Sequence, residues 1–124
     1  MLDIKALFTK VLNCCYIKGT SGNWTYKKYG DGTIEAWYRT GNITITADNS
    51  WWGWYYHNYT STIPYPSSLF TNLDNIQMQC RTGDGLWYVQ PQNIGSYIPF
   101  YAITSRQNHT ATAEIYVYLI GRWK

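Results

Sequence analysis

The run from Trp51 to Tyr59, Trp-Trp-Gly-Trp-Tyr-Tyr-His-Asn-Tyr, gathers the side chains best suited to hold a ligand. The chemistry on offer is stacking. Sugar rings present apolar C–H faces that lie against indole and phenol rings, while amide, carboxylate and guanidinium groups fix the hydroxyls. The candidate contacts are Trp51, Trp52, Trp54, Tyr56 and His57, with Trp87 and Tyr88 from a later segment; Tyr55, Tyr59 and Tyr97 add to the aromatic surface. If these segments are strands, only about half of the rings can face one core. The others need a partner chain, a ligand or solvent. The competing explanation is that the rings line the core and a subunit interface, where Tyr and Trp are enriched.

Catalytic chemistry is poorly supplied. Glycoside hydrolysis needs two carboxyl groups about 5–9.5 Å apart. The acids are Asp3, Asp31, Glu35, Asp48, Asp74, Asp84 and Glu114. Asp31, Asp48 and Asp84 stand in turn contexts, where Asp bonds its own backbone, leaving Glu35 and Glu114 as the strand-borne pair. His57 and His109 are the only histidines and no Gly-x-Ser-x-Gly elbow occurs, so a nucleophilic triad has no anchor. A metal would have to recruit histidines from several subunits. The expectation is therefore no enzyme, no cofactor and no metal.

Trp24, Tyr26 and Lys28, with Lys27 between, look superficially like a single-strand nucleic-acid platform. The net charge is only +3 and the basic residues are otherwise scattered, whereas such binders cluster them on one face. Nucleic acid is not expected as a partner. Asn23, Asn42, Asn58 and Asn108 begin Asn-x-Thr triplets, as chance provides in a chain rich in Asn and Thr. Cys14, Cys15 and Cys80 make an odd set without a C-x-x-C arrangement. They read as reduced, buried thiols, with an inter-chain bridge as the sharper alternative.

The elements that must position these residues follow from spacing. Charged residues are 14% of the chain and aromatics 19%, against about 25% charged in ordinary soluble domains. That excess of ring-bearing residues suits pleated sheet. Residues 2–15 differ from the rest: Ile4, Leu7, Val11 and Cys14 recur at helical spacing, broadened by Phe8, Leu12 and Cys15, with Asp3 near the start. This predicts an amphipathic helix in segment 1–18. It is too short to be stable alone, so its stripe, Ile4, Leu7, Phe8, Val11 and Cys14, meets copies of itself in a short trimeric coiled coil or packs on its own β-domain. Gly19 to Gly22 reads as a linker, and 19–124 as the β-domain.

From Asn23 the period is two. Strands are predicted over Trp24–Tyr29, Thr33–Arg39 and Ile43–Thr46, with turns at Gly30–Asp31–Gly32 and Gly41–Asn42. Trp51–Tyr59 reads as one strand with Gly53 as a bulge or close-approach point. Pro64 to Ser68 is a turn, after which Leu69 and Phe70 dip into the core. Further strands run Ile76–Arg81, Leu86–Gln90, Ile98–Ser105 and Ala111–Trp123. About eight short strands with regular turn signals predict an antiparallel β-sandwich. No run of about 18 apolar residues exists to span a membrane, and the N-terminus shows no signal-peptide pattern.

Four stretches carry a resemblance: Gly19-Thr-Ser-Gly-Asn-Trp-Thr-Tyr-Lys-Lys-Tyr29 continuing to Gly32-Thr-Ile-Glu-Ala-Trp37; Ile63-Pro-Tyr-Pro66 before Phe70; Gly85-Leu-Trp87; and Tyr118-Leu-Ile-Gly-Arg-Trp-Lys124. Together they resemble the C-terminal domains of phage and prophage minor structural proteins of Gram-positive gut bacteria. Those are similar to tail-fibre C-terminal domains with an H-type-lectin-like β-sandwich. Tyr38 stands where that family more often has glycine. The resemblance implies a homotrimer in the virion tail, made in the bacterial cytoplasm, touching other tail proteins and attaching to host cell-surface glycan. The alternative it leaves is a purely structural trimerisation or capping domain of the tail or baseplate. It brings no catalytic motif.

Overall fold

A computed structural model describes residues 15–124. The interface stripe Ile4, Leu7, Phe8, Val11 and Cys14, and the helix expected there, lie outside the described residues. The chain forms β1 (Tyr16–Ser21), β2 (Trp24–Tyr29), β3 (Thr33–Ala47), β4 (Asn49–Trp51), β5 (Trp54–Tyr59), β6 (Asn72–Arg81), β7 (Trp87–Pro91), β8 (Phe100–Thr104) and β9 (His109–Arg122), plus a 3-10 turn at Ser67–Leu69. All pairings are antiparallel. They build a five-stranded sheet, β1-β2-β3-β9-β6, and a four-stranded sheet, β4-β5-β8-β7.

The sheets bury one face each against the other. Strand alternation puts Ile34 and Ala36 of β3 opposite Gly121 and Leu119 of β9, and aligns Ile45 with Ala111. From the second sheet come Val89, Phe100 and Ala102, and the loops add Ile63 and Ile98. Tyr59 stacks on Phe100 at a centroid separation of 5.2 Å. The expected dip after the proline turn is present: Leu69 is buried and Phe70 packs on the core. The all-β antiparallel sandwich read from periodicity is the fold observed.

Three local expectations are corrected. Tyr16 to Lys18, assigned to the leading helix, and Gly19 to Ser21, assigned to a linker, form β1 paired along β2. Gly19 lies opposite Tyr26, and a Cβ there would run into the Tyr26 hydroxyl; the glycine serves a close cross-strand approach. Gly41–Asn42 is not a turn. β3 runs through it with a bulge between Arg39 and Asn42, Gly41 at φ 70°, and the Thr40 hydroxyl accepts the Ile115 N–H at 2.9 Å, supplying the bond that the displaced ladder lacks.

The third correction concerns the aromatic run. Trp51–Tyr59 is a hairpin, β4 and β5, with Trp51 paired to Trp54 across Trp52 and Gly53. Both turn residues have positive φ, 49° for Trp52 and 83° for Gly53, as a type I′ hairpin turn requires. Trp52 is 88% exposed, so its ring gains little burial to offset a left-handed backbone that costs a bulky residue about 1–3 kcal/mol. Trp52→Asn should therefore raise stability by about 1 kcal/mol, seen as a higher urea midpoint at unchanged slope. An unchanged or lower midpoint would mean the indole makes a compensating contact.

An aromatic groove on the four-stranded sheet

Antiparallel partners point to the same side of a sheet, so the registers define the outer face of β4-β5-β8-β7. Phe100, Ala102 and Thr104 point inward and are buried, which turns Tyr101 and Ile103 outward. Tyr56 pairs with Ile103, and Ile103 with Tyr88; Asn58 pairs with Tyr101, and Tyr101 with Gln90. Trp51 and Trp54 continue the face at the hairpin end. These residues enclose a groove of about 550 Å³ lined by Trp51, Trp54, Tyr56, Tyr88, Gln90, Tyr101 and Ile103. Tyr56 meets Tyr101 edge-on at 5.3 Å.

Of the residues singled out from sequence, Trp51, Trp54, Tyr56 and Tyr88 come together here, and Trp52, at the hairpin tip, does not line the groove. His57 and Trp87 are on the opposite face, because each neighbours a groove residue along its strand. His57 pairs with Ala102, its Nδ1 lies 2.9 Å from Asp48 Oδ1, and its ring packs on Tyr59 at 4.6 Å; the same contact holds the Asp48 carboxyl below its ordinary range. Trp87 stacks on His109 at 5.5 Å and donates its indole N–H to the Asp84 carbonyl at 3.0 Å. Tyr101, Ile103 and Gln90 were not among the expected contacts; the alternation of Ile98–Ser105 was the available signal.

The two outer faces differ in what their polar tips do. On the five-stranded sheet, Glu35 accepts from Tyr29 and from Tyr118, the latter at 2.6 Å. Tyr116 donates to Glu114 at 3.1 Å, and Arg39 holds Glu114 at 2.9 Å. That face also has a groove, lined by Trp37, Arg39, Gln77, Gln79, Tyr116 and Tyr118 among others, but the Tyr116 and Tyr118 hydroxyls are engaged by protein carboxylates. On the four-stranded sheet the hydroxyls of Tyr56, Tyr88 and Tyr101, the Gln90 amide and the indole N–H groups of Trp51 and Trp54 bond no protein group among the described residues.

The Glu35 cluster makes stability depend on pH at both ends. Hydrogen bonds from Tyr118 and Tyr29, helped by the Lys27 charge, hold the Glu35 carboxyl below its ordinary 4.5. Its contribution is complete above the unfolded value and is lost as pH falls through the lower folded one. Burial, then the bond to Glu35, pushes Tyr118 up from 10.0 to about 12. That contribution is complete below pH 10.0 and is lost as pH rises toward about 12. Tyr118→Phe should flatten the alkaline loss of stability in that window and weaken the acid one. Denaturant midpoints followed against pH check this; an alkaline limb identical to that of the parent chain would remove Tyr118 from it.

The structure does not bring the strand-borne carboxylates together. Glu35 pairs with Ile120, and Glu114 sits six residues earlier on β9, which is about 20 Å at the rise of an extended strand. Trp24 is buried in the core, out of reach of any base that Tyr26 and Lys28 might stack. Among the described residues no group of three His, Cys, Asp or Glu gathers as metal ligands would. Cys15, expected to be buried, is exposed; Cys80 packs on the core, and burial raises its thiol.

No family model matches the chain, and no curated protein does. Solved structures do. An N-truncated R1-type pyocin tail fibre aligns over 98% of this chain and 98% of its own, with a TM-score of 0.59 at 11% sequence identity. A structure of the C-terminal part of the P. aeruginosa R1 pyocin fibre aligns over 86% of this chain with a TM-score of 0.54 at 13% identity. The chain spans 28% of that fibre structure's length. At such identities the likeness establishes a shared fold.

Proposed function

We propose that this chain is a tail-fibre-type domain of a phage or prophage that works as a homotrimer and attaches to host cell-surface carbohydrate through the aromatic groove. The observation carrying the reading is the groove itself: rings stand beside hydroxyl, amide and indole groups that no protein partner engages among the described residues. Aromatic faces suit sugar C–H surfaces, and the polar tips suit sugar hydroxyls. The fold shared with pyocin fibres supports a place in a phage-like tail, beside other tail proteins. The leading stripe Ile4, Leu7, Phe8, Val11 and Cys14 would gather three copies, and avidity would multiply weak single sites. Binding of this kind involves no covalent step, so the chain acts as an adhesin rather than as an enzyme.

A glycan array probed with the full chain and with Trp54→Ala tests this. Trp54 is half exposed, so its loss should leave the fold intact while weakening every specific signal at least about tenfold, equivalent to about 1.4 kcal/mol. A domain with only a structural role in the tail or baseplate gives no dose-dependent signal. Signals indifferent to Trp54→Ala would place any sugar site elsewhere.

A further inference from the structure

We infer that the groove accepts an uncharged saccharide chain about three rings long, laid across the strands and not along them. The inference rests on the carbohydrate reading above and adds the charge, length and direction of the ligand.

Charge comes from the partition of side chains between the two outer faces. The groove and the outward positions around it, Asn49, Trp51, Trp54, Tyr56, Asn58, Tyr88, Gln90, Tyr101 and Ile103, include no Lys, Arg, Asp or Glu. The outward positions of the five-stranded sheet carry Lys27, Glu35, Arg39, Arg81 and Glu114. An acidic sugar or a phosphate placed among the rings would lose hydration with no cation to replace it. A neutral hydroxyl loses little, because phenol, amide and indole groups stand ready to bond it. Basic residues on the far face of the sandwich cannot supply the missing charge at contact range.

Length and direction come from the registers. The Trp51–Trp54 pair spans β4 and β5, two residues along from the cross-strand row Tyr56–Ile103–Tyr88, which runs from β5 through β8 to β7. Three strand intervals make the platform about 14 Å wide. A pyranose chain advances by close to one strand interval per ring, so about three rings would run from the tryptophans to Tyr88. Gln90 and Tyr101 form the adjacent row, placed to bond hydroxyls along one side.

The test is isothermal titration of the full chain with neutral galactose- and N-acetylglucosamine-based trisaccharides, their monosaccharides, and anionic counterparts in the form of trigalacturonate and a glycerol-phosphate oligomer. The experiment is repeated on Trp54→Ala and Tyr88→Ala, which alter the tryptophan side of the platform on β5 and its far edge on β7. The expected result is binding of a neutral trisaccharide at least about tenfold tighter than its monosaccharide, changed less than about twofold by salt, and weakened by both substitutions. Tighter binding of an anionic probe, weakened by salt and still lost in Trp54→Ala, overturns the inference and leaves the carbohydrate reading standing. A trisaccharide that binds no better than its monosaccharide, or that ignores Tyr88→Ala, overturns the length and direction. If no probe of either class binds, the carbohydrate reading fails and the inference with it.

Discussion

Trp24→Ala should destabilise the domain by about 3–5 kcal/mol, the usual cost of emptying a buried tryptophan site, and a large part of what a domain this size has to lose. Trp24 is 2% exposed. Its ring packs on Tyr38 with centroids 5.0 Å apart, so that tyrosine forms one wall of the tryptophan's site. The indole N–H donates to the Pro64 carbonyl at 2.8 Å, tying β2 to a loop 40 residues away. That loop carries the buried Ile63 and leads into the turn that seats Leu69. Loss of the ring thus opens a cavity and releases β2 from that loop. Trp24→Phe separates the two effects: it keeps an aromatic ring but leaves the carbonyl without its donor, and should cost about 1 kcal/mol for the bond beyond its packing loss. Urea unfolding of both variants checks this; a cost below about 1 kcal/mol for the alanine variant would contradict the burial described here.

The strands were legible where one face is buried and the period is unbroken. Ile115, Val117 and Leu119 alternate with Tyr116, Tyr118 and Ile120, and burial follows that alternation through β9. The turn at Gly30–Asp31–Gly32 was legible because Gly32, at φ 98°, serves local geometry, closed by its N–H to the Tyr29 carbonyl at 3.1 Å. Other glycines misled because their reason is not local. Gly19 answers to Tyr26 on the next strand, and Gly41 sits in a bulge completed by a threonine hydroxyl. The turn at Trp52–Gly53 was hidden by a residue type that no turn preference selects.

The groove was legible in part for the same reason. Trp54 and Tyr56 share a face by parity within one strand, and Tyr88 stands out as an aromatic at an outward position. His57 and Trp87 are next to groove residues in sequence, and parity sends them to the other side of the sheet. Tyr101 and Gln90 join the site only because β5 pairs with β8 and β8 with β7. The first of those pairings brings together residues more than 40 positions apart, Tyr56 with Ile103 for example. Local spacing carries no information about which distant strand will lie alongside, or in which register. The distinction between occupied and available tyrosine hydroxyls is likewise a property of packing. Tyr118 and Tyr101 are equivalent as text, and only the neighbour of each, Glu35 or none, separates a structural hydroxyl from one that can meet a ligand.

Gly121→Val should be at least as damaging as the loss of Trp24, and Gly121→Ala should cost about 1–3 kcal/mol or more, the range for forcing carbon into a filled core. Gly121 is buried on β9 between Ile34 of β3 and Leu73 of β6. A Cβ there would collide with the Asn72 carbonyl oxygen and come within 3.0 Å of Leu73 Cα and Phe70 Cδ1. Two of those atoms are backbone, so rotamer changes cannot relieve the conflict. The start of β6 would have to lift away, breaking the Asn72–Arg122 and Leu73–Gly121 pairings next to the register shift between Leu73 and Asn75. It would also strain the Thr71 N–H bond to the Arg122 carbonyl at 2.8 Å. The damage should therefore be local before it is global: amide exchange in Gly121→Ala should quicken first at Thr71 to Ile76, ahead of the centre of β9. Protection unchanged across that stretch, with a urea midpoint matching the parent chain, would show that β6 can shift to admit a methyl group and that its close approach to β9 is not enforced by the absence of a side chain.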